Sequence, residues 1–280
     1  MQQQFPKDNY IRAGKINTRY WALGDQGSPI ILIHGLGASA EIWMHNVEAL
    51  AERHRVYVPE LVGFGRSDKP DIEYTPSSAA RFIYDFMNAL NIERASLVGN
   101  SLGGGISLIF TLEYPDKVDK IVLVDSAGLG SEVIFPLRIL SLPFIGKLMT
   151  RPSRKGVYLY FRDAVYDRKL LNKDFIDLYY ELHSLPGAQK SLLRVIRTSI
   201  GIRGAREKLM IPIMTNLGKI EQPTLIVWGK QDKVIPLEHA YFAKERVPNS
   251  QLHVFDPCGH MPQFERPNEF NGVVTEFLVD

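Results

Sequence analysis

Short apolar runs rich in β-branched residues recur along the chain at 29–33, 55–59, 95–98, 120–124, 223–228 and 251–255. All but the fourth lead into stretches with helical patterning, at 40–54, 76–90, 102–114, 237–246 and 267–278. A run that is apolar on both faces must be covered on both faces, so this alternation predicts a parallel sheet with helices on either side. Thr75 followed by Pro76 marks one helix start, as an N-cap residue and a first-turn proline. Residues 10–23 leave room for antiparallel edge strands.

Between Asp125 and Lys219 the alternation stops. Residues 131–217 are mainly helical in pattern, with no convincing strand. They hold an apolar stretch, 133–149, broken by Pro136, Arg138, Pro143 and Gly146, and then a basic stretch, 147–173. The expectation is a helical cap, 129–217, inserted between two parts of one sheet domain, 1–128 and 218–280. A formal charge of +2 argues against nucleic acid as a general partner. The single cysteine, Cys258, excludes an internal disulfide. Residues 1–15 are polar, and no uncharged apolar run is long enough for a membrane span, so a cytoplasmic protein is expected.

Gly99-Asn100-Ser101-Leu102-Gly103 matches G-x-S-x-G and lies between a strand pattern and a helix pattern. That setting is a nucleophile elbow, a tight turn that lifts the serine hydroxyl above the sheet while glycines allow the backbones to close on each other. A serine hydroxyl needs a base. His260 is the best placed of the seven histidines, because it follows the last strand, where open α/β sheets put their chemistry. His45 and His54 fall in the helix pattern after residue 33, His239 on a helix expected at the surface, His253 inside a strand, and His183 in the cap. Asp232, just after strand 223–228, is the favoured acid to orient the base, with Asp125, after strand 120–124, as its competitor. His34-Gly35-Leu36-Gly37 follows the first buried strand and is similar to an H-G-x-G turn. The N–H groups of Leu36 and Leu102 would then form an oxyanion hole, with His34 holding the turn.

Taken together these motifs resemble the α/β-hydrolase superfamily over essentially the whole chain. Gly63-Phe64-Gly65-Arg66-Ser67-Asp68-Lys69-Pro70 resembles a family turn, although Glu60 stands where many members carry aspartate. Gly259-His260-Met261-Pro262-Gln263-Phe264-Glu265, then Pro267 and Phe270-Asn271, is similar to the ending of carboxylesterases and of meta-cleavage product hydrolases, which cut C–C bonds. Asn100 leans toward the latter. The resemblance implies an α/β-hydrolase fold, a mostly parallel sheet of about eight strands flanked by helices and capped by an inserted helical unit.

It also implies a carboxylic ester hydrolase working through an acyl-enzyme, without metal or organic cofactor. The alternatives are C–C hydrolysis, lactone or thioester hydrolysis, and a triad-bearing ligand receptor. Against C–C hydrolysis, the cap helix at 174–184 lacks the arginine that grips a dienoate carboxylate, although Arg162, Arg194 or Arg197 could substitute. The turn at 34–39 is also shorter than is usual in those enzymes. A serine at 101 excludes the carboxylate attack of haloalkane dehalogenases and epoxide hydrolases. The expected substrate contacts are Gly35, Asn100, Phe135, Leu137, Leu140, Phe144 and Met261. The expected partner is a small-molecule ester, with a homodimer possible.

Overall fold

In the computed structural model, which describes residues 5–279, the sheet strands are β1 (Asn9–Ala13), β2 (Ile16–Leu23), β3 (Pro29–Ile33), β4 (Arg55–Pro59), β5 (Ala95–Asn100) and β6 (Val118–Val124). A two-stranded hairpin, β7 (Ile200–Gly201) and β8 (Gly204–Ala205), comes later, then β9 (Thr224–Gly229) and β10 (Ser250–Phe255) return to the sheet. The eight-stranded order is β1-β2-β4-β3-β5-β6-β9-β10. Only β1 with β2 and β2 with β4 pair antiparallel. From β4 through β3 to β10 every pairing is parallel, so the loops after β3, β5, β6, β9 and β10 leave one edge of the sheet side by side.

Strand alternation builds a core on each face. Ile31, Ile33 and Leu97 join one apolar cluster, with Phe86 of α2 (Pro76–Ala89) and Phe110 of α3 (Leu102–Glu113). Ile30, Leu32 and Val98 join the other, with Trp21, Trp43 and Phe270. Thr75 starts α2 as its sequence suggests. Its side chain accepts from the Ser78 N–H at 3.1 Å while the Ser78 hydroxyl accepts from the Thr75 N–H at 2.9 Å.

The continuous helix expected at 40–54 is instead a 3-10 turn, Ala40–Trp43, followed by α1 (Val47–Ala51). Buried Asn46, between the two, donates to the Gln263 carbonyl at 3.0 Å and to Asn271 at 2.8 Å, so tertiary bonds outweigh local helix continuation. His45 and His54 consequently lie outside a helix.

Between β6 and β9 stand α4 (Phe135–Leu140), α5 (Pro143–Met149), α6 (Arg154–Phe161), α7 (Lys173–Ser184), α8 (Ala188–Ser199) and α9 (Glu207–Met214). Pro143 splits the apolar run into α4 and α5, because a residue before proline avoids the helical region. The hairpin of β7 and β8 was not anticipated. The chain ends with α10 (Glu238–Arg246), α11 (Pro262–Glu265) and α12 (Pro267–Val279). His239 on α10 is buried rather than on the surface, with its Nε2 3.0 Å from a Glu132 carboxylate oxygen.

The helix after β5 sits hard against the sheet. A Cβ on Gly103 would run into the Ile33 carbonyl, and one on Gly99 into the Gly103 backbone. Gly103→Ala should therefore lower the urea-unfolding free energy by about 3 kcal/mol. Gly272→Ala, in an exposed stretch of α12 with open space around it, should leave stability equal or raise it by about 1 kcal/mol. Equal effects at both sites would refute the close-packing account.

Candidate active site

Ser101 is the residue between β5 and α3, and its φ of 56° is a left-handed value that a serine seldom adopts. Surrounding bonds hold it there. Its N–H donates to the Val124 carbonyl at 2.8 Å, and its own carbonyl accepts from the Ala127 N–H at 2.9 Å. Asn100, expected to touch substrate, lines the cavity but spends its amide elsewhere. Its Nδ2 donates to the Val124 carbonyl at 3.2 Å and to the His260 carbonyl at 3.1 Å, tying the serine turn to the histidine loop.

The imidazole Nδ1 of His260 lies 2.7 Å from Asp232 Oδ2. The other Asp232 oxygen accepts from the N–H groups of Val234 and Ile235, at 2.7 and 3.1 Å. A carboxylate oxygen facing Nδ1 is an acceptor there, which puts the imidazole proton on Nδ1 and leaves the lone pair on Nε2. Ser101 and His260 face the same cavity. Among the described residues the serine hydroxyl has no hydrogen-bond partner, as is common for catalytic groups before substrate binds.

Two anchors of this loop escaped the sequence. The His260 N–H donates to the Ala164 carbonyl in the cap at 2.8 Å. Glu265 accepts from the N–H groups of Gly259, at 2.8 Å, and of Tyr166 and Asp167, at 2.6 and 3.2 Å. Only the position of that glutamate five residues after the histidine could have drawn attention to it.

On the opposite side of Ser101, His34 is fully buried. Its Nε2 accepts from the Leu61 N–H at 3.0 Å, so its Nδ1 must carry the proton and donate to the Gly35 carbonyl at 2.8 Å. Burial pushes its pKa down to about 4, so it is neutral at pH 7. The cap grips the same turn. Tyr160 donates to the Leu36 carbonyl at 3.0 Å, and Nε2 of His183, a histidine that burial keeps neutral, lies 2.8 Å from the Gly37 carbonyl. Neither the Leu36 nor the Leu102 N–H meets a protein acceptor among the described residues, and both residues line the cavity.

Asp125 stands beside Asp232, with ligand-type atoms of Asp125, Asp232 and His260 all within 4.8 Å of one another. It does not replace Asp232 at the imidazole. One oxygen accepts from the Gly229 N–H at 2.9 Å, and the other is buried without a donor. Burial, then the charge of Asp232, raises the Asp125 pKa well above the usual carboxylate range. Two adjacent buried carboxyl groups cannot both ionise, so Asp125 keeps a proton that it can donate toward Asp232.

Of the residues named as substrate contacts, Gly35, Leu137, Leu140 and Met261 line the cavity, which holds about 270 Å3. Phe135 and Phe144 are corrections. They are 64% and 91% exposed and point away, because α4 turns Leu137 and Leu140 inward while α5 rests on Leu140 of α4 and Leu193 of α8 through Gly146. Arg162, Arg194 and Arg197 are absent from the lining, leaving Arg151, itself exposed, as its single arginine or lysine.

Two tests separate these roles. Asp125→Asn retains one acceptor and one donor, so turnover should stay within about fivefold, whereas Asp232→Asn should cost about 10⁴. Folded Asp125 holds a proton that the unfolded chain releases, so the parent should lose stability relative to Asp125→Asn as pH rises above the carboxylate range. For His34 the sign is opposite. The unfolded imidazole takes up a proton near pH 6.5 and the folded one only near pH 4, so acidification across that interval favours unfolding by up to about 3 kcal/mol. The parent should lose about 2 kcal/mol more than His34→Gln between pH 7 and pH 5 in urea titrations. Parallel pH profiles would rule out a buried neutral His34.

Comparison with known proteins places this geometry. Residues 28–267 match the model for the alpha/beta hydrolase fold. The chain is 33% identical over 275 residues, 97% of its length and 90% of the relative's, to 2-hydroxy-6-oxo-6-(2'-aminophenyl)hexa-2,4-dienoic acid hydrolase of Metapseudomonas resinovorans. It is 31% identical over 96% of its length, and 95% of the relative's, to 2-hydroxy-6-oxo-2,4-heptadienoate hydrolase of Pseudomonas putida. The structure of a meta-cleavage product hydrolase from Pseudomonas fluorescens superposes with a TM-score of 0.83 at 32% identity over 96% of both chains. With an eight-stranded, mostly parallel sheet and a family match over most of its length, the chain belongs to the α/β-hydrolase family.

Proposed function

We propose that the chain is a serine hydrolase that cleaves carboxylic esters of apolar substrates through an acyl-enzyme. The observation that carries this is the 2.7 Å bond between His260 and Asp232 at the edge of an apolar cavity that also holds Ser101. Asp232 fixes the tautomer, so Nε2 of His260 can accept the serine proton as Ser101 Oγ attacks the carbonyl. The N–H groups of Leu36 and Leu102, unclaimed by the protein, take the charge that develops on the carbonyl oxygen. His260 then protonates the departing alcohol, and water repeats the cycle to free the acid and restore Ser101. Every step uses groups of this chain alone.

The named relatives favour a second reading, hydrolysis of a C–C bond in a dienoate acid, which needs the same triad and a cation for the substrate carboxylate. The lining supports the ester reading over it. No arginine or lysine of the cavity is buried, and Arg151 at its rim would have to serve. Lactones and thioesters share the acyl chemistry.

Ser101→Ala should cut kcat by about 10⁴ to 10⁶, because the triad acts as a unit. A panel of short and long p-nitrophenyl esters, lactones, thioesters and a dienoate acid decides the substrate. Fastest turnover on apolar esters is expected. Turnover of the dienoate hundreds of times faster, abolished by Arg151→Leu, would install the C–C reading instead. Turnover far below about 1 s⁻¹ on every substrate would point to a receptor.

A further inference from the structure

Helix α5 shows solvent an apolar face that none of the described residues covers. Phe144 is 91% and Leu148 63% exposed, and these stand one turn apart, as do exposed Ile145 and Met149. The inward side of the helix is Gly146, where a Cβ would strike the Leu140 carbonyl and press on Leu193. The helix is therefore held by its smallest residue and presents its largest ones outward. Exposed Phe135 on α4 extends the apolar surface.

The chain segment that carries this face bears charge of one sign. Residues 133–162 contain six basic residues, Arg138, Lys147, Arg151, Arg154, Lys155 and Arg162, and no aspartate or glutamate. The whole chain has a formal charge of only +2, so the remainder is net acidic. Arg154 pairs with Asp177 and Arg162 with Asp163, whereas Lys147, Arg151 and Lys155 have no acidic partner among the described residues. The cavity opens here as well. Met149 and Leu159 are exposed and also line it, so its mouth lies beside α5.

From this juxtaposition we infer that the outer face of α4 and α5 is a docking surface for an anionic lipid bilayer, set so that the cavity mouth meets the membrane. An apolar ridge flanked by free cations fits the boundary between acyl chains and anionic headgroups. Self-association through the same ridge is disfavoured, because a two-fold contact would set two basic surfaces against each other. Among the described residues no helix is long and apolar enough to span a membrane. Resting on the ester-hydrolase reading, the inference narrows the substrate class to esters drawn from a lipid phase.

Co-sedimentation of the full chain carrying Ser101→Ala tests the docking without hydrolysis. Vesicles of phosphatidylcholine mixed with phosphatidylglycerol should bind it about tenfold or more tightly than phosphatidylcholine alone, and high salt should reverse this. Phe144→Ser with Leu148→Ser, and separately Lys147→Glu with Lys155→Glu, should each weaken binding about tenfold or more. With Ser101 intact, both pairs should retain parental turnover of a water-soluble ester, which also reports that they fold. No sedimentation with the anionic vesicles, or binding unchanged in either pair, overturns the inference. A dimer in light scattering that Phe144→Ser with Leu148→Ser dissolves, without vesicle binding, overturns it in favour of self-association. A chain that binds vesicles as described but turns over no ester leaves the docking surface standing and removes only the ester reading.

Discussion

The bond from His260 to Asp232 joins two loops 28 residues apart in sequence, and neither loop can make it without the sheet. Parallel pairing of β9 with β10 brings the two strand ends to one edge, Gly229 opposite Phe255. The same edge receives Ser101, because β5 lies two places away across β6. What aligns a base, its acid and a hydroxyl is thus strand register, and register is enforced by burial of both sheet faces. A slip of one residue would turn Ile30 and Leu32 into the positions of Ile31 and Ile33 and misplace every loop at once.

Burial also fixes protonation. Around the site His34 and His183 are held neutral by desolvation, and Asp125 is held neutral by desolvation and by its acidic neighbour. The carboxylate of Asp232, beside that neutral acid, accepts two backbone N–H groups as well as the imidazole. Of the two neighbouring acids, only Asp232 faces the imidazole.

The sheet and its order of chemistry were legible because their signals are local. β3 is an uninterrupted apolar run, β6 ends in one at 121–124, β5 is apolar at Ala95, Leu97 and Val98, and G-x-S-x-G at a strand-to-helix junction has few structural meanings. Local pattern failed where long-range bonds decide. Asn46 breaks the first helix because its partners, Gln263 and Asn271, lie more than two hundred residues away. Phe135 and Phe144 read as pocket lining by composition alone, yet which face a short helix turns inward is set by Gly146 and by neighbours that sequence cannot rank. The contacts of Tyr160, Ala164 and Glu265 could not be read for the same reason. Each acts through a backbone group contributed by a distant loop.

The contact between Ala164 and the histidine loop, doubled by the grip of Glu265 on residues 166 and 167, makes the cap and the base one mechanical unit. A cap that swung wholly away to admit ligand would drag the imidazole off its acid. Parting of the short helices near the rim, with the stretch from 164 to 167 left in place, would spare that bond. Grafting a foreign cap to alter selectivity would succeed only if the graft preserved this hinge-side seam.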